Sequence, residues 1–423
     1  MLRKNPVMLT AALTLLLLGM LPGIAIGQSS QSASLVGKVT DESGGAMPGV
    51  TVTVKSPQLQ VPQLNAVTGV DGDYRMLDLP AGTYNIAFEL SGFQTQLRTD
   101  VHLTVGIAGK VDVVMKIGAL SETIQVSGQS PVVDTVNVTG QTTLVQDQLR
   151  TIPMGGTMQE MLPLAAGVST QNKPDVGDSN LADRSAIVTY GVVLQPTLDV
   201  EGINTVTDHA ANTAVYLNSF SLEEVQFKTS GNNADIAFPG LAQVAVLKSG
   251  SNEFHGSVRG SYENPSWQGN NITPELEAQG LRQTNPIVDP GYYEDIIDLG
   301  GRIIRDKLWF YGAYSKQAVT QGQVGFVLAP NADGCWLVSC GGTTPATVHT
   351  DLPGVNAKVS YQLNSTTKLI ASKMYAVKHL SVNGGSPTIP LPSTRFQRQP
   401  QSAWKGEVQS APSDKILFNA IFG

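Results

Sequence analysis

Apolar and polar residues alternate in short runs along most of this chain, and this period-two pattern limits the possible folds more than any other feature. Typical runs are Gly82–Glu89 and Asp295–Arg305, and residues that favour turns stand between such runs. Alternation of this kind is what a β-strand with one buried face requires. The 43 Gly, 24 Pro and low charged fraction of 14% agree with many strands joined by turns. The sequence therefore predicts a mainly β protein.

The first residues are organised like an export signal. Two basic residues at positions 3 and 4 precede an apolar run from Val7 to Leu18. A membrane-spanning helix needs about 20 apolar residues, whereas the core of a signal peptide needs only about 7 to 15. The small residues Ala25 and Gly27 then predict cleavage between Gly27 and Gln28. We therefore expect residues 1–27 to be a signal peptide, with a short buried helix as the alternative.

Charge and cysteine content limit the partners. The formal net charge is −7, and loss of the signal would remove two further basic residues, so nucleic acid is not expected as a partner. Cys335 and Cys340 stand close together in a Gly- and Thr-rich stretch, which in an exported chain predicts a small loop disulfide. The nearest histidine, His349, stands alone, so we expect neither a metal site nor a cofactor.

The region after the leader has the pattern of a small antiparallel β-sandwich. Turn signals such as Pro48-Gly49 and Asp71-Gly72 separate its predicted strands. These strands are Leu35–Thr40, Val50–Lys55, Asp73–Leu77, Gly82–Glu89, Phe93–Leu103 and Lys110–Met115.

Five motifs in this region resemble a carboxypeptidase regulatory-like domain in their order and spacing. They are Gly37–Asp41, Pro48–Val52, Thr68–Tyr74, Leu79–Tyr84 and Gly92-Phe93. The resemblance implies a transthyretin-like β-sandwich over residues 33–117, without catalytic groups of its own. No histidine stands in the H-E-x-x-H arrangement that a zinc peptidase would need.

Residues 118–130 follow as a linker that contains a short strand-prone segment. The segment Glu122-Thr123-Ile124-Gln125-Val126-Ser127 resembles a TonB box. Such a box pairs with an edge strand of the energy-transducing protein TonB in the periplasm, where main-chain hydrogen bonds supply the affinity. An ordinary linker strand that closes the sandwich is the alternative.

Residues 131–252 resemble the plug domain of TonB-dependent receptors, an α+β unit. Predicted helices at Gln146–Arg150 and Met158–Ala165 precede Leu198–Gly202, Ser221–Thr229 and Gly240–Gly250. Glu223 and Glu224 are neighbours and would face opposite sides of a strand, so we predict them to be plug surface residues and not a catalytic pair.

The string Lys248–Gly256 resembles the junction of plug and barrel in the Oar-like branch of the family, which carries a regulatory-like sandwich ahead of its plug. One departure is that Leu241 follows Gly240, where members of the family usually have a second glycine. Within the string, Glu253 and His255 are the closest approach to an acid–base pair. Their place at the junction predicts a structural role.

Residues 253–423 have alternating strands with aromatic residues near their ends, as in an outer-membrane antiparallel β-barrel. The resemblance implies a barrel of about 22 strands, of which about six or seven fit here. We therefore expect the chain to be an N-terminal fragment. The predicted strands are Phe254–Tyr262, Asp295–Arg305, Lys307–Tyr314, Gly354–Leu363, Thr367–Ala376 and Lys415–Phe422.

Together these features imply a TonB-dependent outer-membrane transporter and not an enzyme. Motifs for phosphate binding, nucleophilic serine catalysis and zinc hydrolysis are missing from the sequence. The expected partners are a TonB-type protein, outer-membrane lipid and an unknown extracellular ligand, with the sandwich in the periplasm. The alternative is a cell-surface binding or adhesion protein that uses the sandwich for recognition.

Overall fold

The computed structural model describes residues 32–118, 123–127, 140–152, 156–170, 187–194, 197–205, 216–231, 240–270, 272–279, 287–327, 345–383, 391–413 and 416–423. Strands dominate these ranges. Across the same ranges, no helix has the length and apolar character needed to cross a membrane. The predicted signal peptide, its cleavage site at Gly27 and Gln28, Glu122, Cys335 and Cys340 lie outside the described residues.

The first nine described strands form a two-sheet sandwich. One sheet has the order β4-β1-β7, with β8 also pairing with β1, and the other has the order β3-β2-β5-β6-β9. The strands are β1 Ala33–Asp41, β2 Thr51–Lys55, β3 Leu64–Val67, β4 Asp73–Leu79, β5 Gly82–Glu89, β6 Thr95–Leu103, β7 Ala108–Lys110, β8 Val113–Met115 and β9 Thr123–Ser127.

The sequence predicted an antiparallel sandwich, but some of its strand pairs are parallel. β1 pairs in parallel with both β7 and β8, and β6 pairs in parallel with β9. Two parallel strands are joined by a long crossover connection and not by a tight turn. Turn residues in the sequence therefore do not predict parallel pairs. In addition, the strand predicted at Lys110–Met115 is divided between β7 and β8, and β3 had not been predicted.

Alternating side chains from both sheets fill the sandwich core. In β5 every second residue is buried, including Tyr84, Ile86 and Phe88, and Val52 and Val54 of the neighbouring β2 are fully buried. Burial of one such side chain contributes roughly 1.5–3 kcal/mol, so the period-two pattern determines which face of each strand turns inward.

The middle of the chain forms an α+β unit, which we call the plug. Its main sheet has the order β10-β16-β17-β14-β15, and β11-β12-β13 form a smaller sheet. Its elements are β10 Gly140–Val145, α1 Gln146–Thr151, α2 Met158–Met161, a 3-10 turn Leu162–Leu164, β11 Val168–Thr170, β12 Ile187–Thr189, β13 Val192–Leu194, β14 Thr197–Val200, β15 Ile203–Asn204, a 3-10 turn Ser219–Ser221, β16 Leu222–Ser230 and β17 Ala242–Leu247.

The last seven described strands form one sheet in sequence order, in which each strand is antiparallel to the next. We call this sheet the barrel wall. Its strands are β18 His255–Glu263, β19 Ile287–Ile304, β20 Leu308–Val327, β21 Pro345–Gln362, β22 Thr367–Asn383, β23 Arg395–Ser413 and β24 Ile416–Phe422. Two short 3-10 turns, Pro265–Trp267 and Leu391–Ser393, and helix α3, Pro274–Ala278, lie between strands.

The two faces of the barrel wall differ in polarity. Large apolar side chains on one face are exposed, among them Val258, Ile297, Tyr314, Tyr375 and Trp404. Residues of the opposite parity are buried. Apolar side chains such as Trp309 and Met374 are among them, but many are polar or charged, namely Asp298, Asn356, Lys358, Ser360, Ser372, Lys405 and Glu407. An apolar outer face and a polar inner face are typical of outer-membrane barrels.

Four strands of the barrel wall, β19 to β22, are longer than the sequence predicted. β19 begins at Ile287 and β20 continues to Val327, beyond the stretches where apolar and polar residues alternate. β23 was missed altogether. It contains Pro400, which cannot donate to a sheet ladder, but Pro400 lies outside the part of β23 that pairs with β24.

Candidate functional site

The plug meets the barrel wall at the string Lys248–Gly256, just after β17. The buried Lys248 ammonium lies 3.2 Å from the Asp298 carboxylate of β19, and both side chains are 2% exposed. A Cβ atom at Gly250 would lie 2.2 Å from the Phe310 carbonyl oxygen, so only glycine allows the chain to pack on the β19–β20 backbone here. These contacts explain why a basic residue and a glycine stand at those positions.

Asn252 connects this string to three parts of the molecule. Its side-chain amide donates to the Gln60 carbonyl oxygen of the sandwich at 3.0 Å and to the Asp306 carboxylate in the β19–β20 turn at 2.6 Å. Its side-chain oxygen accepts from the Trp309 indole N–H at 2.9 Å and from the Asp306 N–H at 2.9 Å. His255 Nδ1 lies 3.3 Å from the Glu253 carbonyl oxygen, so its described contact is with the backbone of Glu253 and not with the carboxylate.

A buried ionic cluster forms the second connection between plug and barrel wall. Glu201, at the end of β14, accepts from Lys358 Nζ of β21 and from Lys405 Nζ of β23, each at 2.9 Å. Lys405 also lies 2.6 Å from Glu407 on its own strand. Although burial alone would raise the pKa of Glu201, the two lysines lower it to about 2. Glu201 is therefore an anion held between two strands of the wall.

The sequence contained Glu201 in the motif Leu198–Gly202 but gave no reason to assign it a partner. Lys358 lies 157 residues further along the chain and Lys405 lies 204 residues further. The available signal was the parity of Lys358, which shares the polar inner face of β21 with Asn356 and Ser360. A lysine on that face needs an anionic partner because burial of an unpaired charge is costly.

One contact between the sandwich and the plug is made by the loop residue Val105, just after β6. Its backbone N–H donates to Glu224 of β16 at 3.2 Å, and its carbonyl oxygen accepts from Gln226 Nε2 at 2.6 Å. Glu224 is 2% exposed, so the prediction that it lies on the plug surface was wrong, whereas Glu223 is half-buried. The reason is that the sandwich covers this face of β16. Burial raises the pKa of Glu224 to about 7, against the opposing effect of its bonds to Gln226 and Val105.

A cavity of about 90 Å³ lies where sandwich, plug and barrel wall meet. Gln58 and Asp78 of the sandwich line it together with both members of the Glu201–Lys358 pair. Its polar lining and its size suit a few water molecules. The ionic cluster thus lies at the boundary between the protein interior and this cavity.

The candidate TonB box is described from Thr123 to Ser127, as strand β9. This strand pairs in parallel with β6, from Thr95↔Thr123 to Thr99↔Ser127. The segment therefore forms the edge strand of the larger sandwich sheet, as the linker-strand alternative expected. In this position it still presents one strand edge to the exterior of that sheet.

A metal site needs a cluster of metal-ligating side chains. In the ranges given above, no group of three His, Cys, Asp or Glu side chains could hold a metal ion.

Comparison with known proteins finds a matching domain family and a similar transporter. The profile of the carboxypeptidase regulatory-like domain matches residues 34–116. The TonB-dependent transporter Oar of Myxococcus xanthus is 28% identical over 303 residues, which cover 69% of this chain and 28% of the relative. The chain thus spans less than a third of the length of this relative. The resemblance stated from the sequence is confirmed.

Solved structures of outer-membrane proteins are similar at a lower level. The outer membrane transporter YddB from Escherichia coli has a TM-score of 0.48 and 14% identity, and the match covers 64% of this chain and 37% of that one. The siderophore receptor PirA from Acinetobacter baumannii has a TM-score of 0.43 and 11% identity, again over 64% of this chain and 37% of that one.

Proposed function

We propose that this chain, which carries a regulatory-like sandwich and is similar to an Oar-type TonB-dependent transporter, is part of an energy-coupled outer-membrane transporter. The observation that carries the proposal is the seating of the plug. An α+β unit is fastened by buried ion pairs to the polar inner face of a sheet whose outer face is apolar. A barrel with an occluded interior and a lipid-facing exterior needs both features.

In this role each face has a separate partner. The exposed apolar residues of the barrel wall, such as Val258 and Trp404, would contact outer-membrane lipid. The sandwich would lie in the periplasm, and an extracellular ligand of unknown identity would bind on the opposite side. Passage of that ligand would require the plug to move against Glu201–Lys358 and Lys248–Asp298.

Energy would enter through the segment Glu122 to Ser127. A TonB-type protein would recruit Thr123–Ser127 by adding its own strand, and it would then pull on the chain that leads into the plug. The edge position of β9 supports this proposal, since its backbone is paired on one side by β6. The proposal describes a transporter, with no catalytic residue and no cofactor.

The test uses the full-length protein and, because its ligand is unknown, the purified periplasmic domain of the TonB-type protein from the same bacterium as the probe. Ile124→Pro and Val126→Pro are compared with Ile124→Ala and Val126→Ala. Proline removes a backbone donor and fixes φ, so at least one Pro variant should bind the probe at least tenfold more weakly, whereas the Ala variants should lose less. Normal binding by both Pro variants would show that the segment is only a linker strand.

A further inference from the structure

The sandwich and the plug have separate hydrophobic cores. The sandwich core contains residues between Ala33 and Met115 only. The plug core runs from Leu144 to Leu247 and also includes Met374 of the barrel wall strand β22. The plug is thus joined to the wall by apolar packing, but neither core is shared between the sandwich and the plug. The sandwich could leave without opening either core.

Hydrogen bonds connect the sandwich to the plug and to the string that follows it. Besides the Val105 contacts with Glu224 and Gln226, Gln60 Nε2 donates to the Gly250 carbonyl oxygen at 3.3 Å. Gln58 Nε2 lies 3.4 Å from Glu223 Oε1. Hydrogen bonds of this kind exchange readily with water, since their net contribution in folded proteins is small.

The same two glutamines lie beside the cavity that adjoins the ionic cluster. Gln58 and Gln60 line it on the sandwich side, whereas Glu201 and Lys358 line it on the side of the plug and the wall. The attraction between buried charges falls steeply as water enters and the local dielectric constant rises. Removal of the sandwich would therefore weaken the contact that fastens the plug.

We propose that the sandwich is a detachable cover over the ionic cluster of Glu201, Lys358 and Lys405, and that its undocking opens this cluster to bulk water before the plug moves. The inference rests on the proposed function, because only a plug that moves needs such a release. It also gives the β6–β9 pairing a role. A pull on β9 reaches β6, and Val105 follows the end of β6 at Leu103 by only two residues.

The experiment measures how fast water-borne reagents reach the cavity in the purified full-length protein. Ser360, which lines the cavity and is 3% exposed, is replaced in a Ser360→Cys variant. Cys335, Cys340 and any cysteine in the rest of the full chain are changed to Ser. The rate of labelling by a sulfonated maleimide is then measured with and without Gln58→Ala and Gln60→Ala together.

The loosened variant should be labelled at least fivefold faster than Ser360→Cys alone. The matched control is Gln63→Ala, which changes the same residue type nearby in the chain, because exposed Gln63 bonds only within the sandwich, to Asn65. This control should leave the rate unchanged. Equal rates in all three proteins would overturn the proposal.

Hydrogen exchange of β2 and β5 checks that the sandwich itself stays folded. If β2 and β5 lose protection in the double variant, the Glu224→Ala variant is used in its place, since this change loosens the Val105 contact from the plug side. It should also be labelled at least fivefold faster than Ser360→Cys alone, and an unchanged rate would overturn the proposal. None of these readouts involves TonB. If the labelling test contradicts the cover, the proposal of a transporter still stands. If the TonB-binding test fails, the labelling result is unaffected.

Discussion

Replacement of Glu201 by Gln tests whether buried charge fastens the plug to the barrel wall. Glu201 accepts one hydrogen bond from each of Lys358 and Lys405 and a third from the Leu247 N–H at 2.8 Å. A glutamine keeps one acceptor oxygen but loses the negative charge. Lys405 retains Glu407 at 2.6 Å, whereas Lys358 keeps only the Leu247 carbonyl oxygen at 3.4 Å among the partners described.

The expected cost is about 3 kcal/mol. A hydrogen bond to a charged group contributes about 1.5–3 kcal/mol, and breaking a buried pair from one side costs about 3–5 kcal/mol. The lower end applies because the amide can still accept one bond and Lys405 stays paired. A loss of this size corresponds to roughly a hundredfold increase in the population of the detached plug.

Native-state hydrogen exchange of the purified full-length protein measures this population. Peptides that contain β14 and β17 should exchange about two orders of magnitude faster in Glu201→Gln at pH 7. The matched control is Glu407→Gln, because Glu407 bonds to the same lysine but lies within the wall strand β23. It should leave plug exchange within about threefold of the parent. Unchanged exchange in Glu201→Gln, or an equal effect of Glu407→Gln, would refute the reasoning.

Three further predictions concern the sandwich and the leader. Residues 34–116 expressed alone should melt cooperatively, and Gly82→Val should destabilise them by over about 1 kcal/mol because Gly82 has φ +149; equal melting temperatures would contradict this. Docking of the sandwich should weaken as pH rises from 4.5 to 7, because burial in the docked form raises the pKa of Glu224 to about 7. The free energy of docking should become less favourable by roughly 3 kcal/mol over this range. Fivefold slower labelling of Ser360→Cys at pH 5 than at pH 7, corrected for the intrinsic reactivity of the thiol, would support it, and a Glu224→Gln variant should lose this dependence. N-terminal sequencing of membrane-bound protein should begin at or near Gln28, and an intact Met1 in a cytoplasmic pool would exclude export.

Several local features could be predicted from the sequence. The bounds of β5 agree with the prediction at both ends, and α1 begins at Gln146 as expected. These elements depend on the alternation of their own residues and on the turn residues beside them, which are short-range properties. The resemblance to a regulatory-like domain over residues 34–116 also came from local motifs at fixed spacings.

Features that depend on contacts between distant segments could not be predicted. β9 pairs in parallel with β6, and β7 pairs in parallel with β1. Turn residues in the sequence predict neither pairing. β23 was missed because the polar run around Pro400 shows no alternation, although its neighbour β22 supplies the pairing partners that make it a strand.

The sequence by itself determined the mainly β fold and the order of sandwich, plug and barrel wall. Local periodicity and turn residues carry that information within about ten residues. Only the tertiary structure decided that Glu224 is buried and that Glu201 is paired. A glutamate looks the same in the sequence whether it lies on a surface or in an interface. Glu201 connects the plug to the barrel wall only because the fold brings Lys358 and Lys405, 157 and 204 residues further along the chain, to 2.9 Å from its carboxylate.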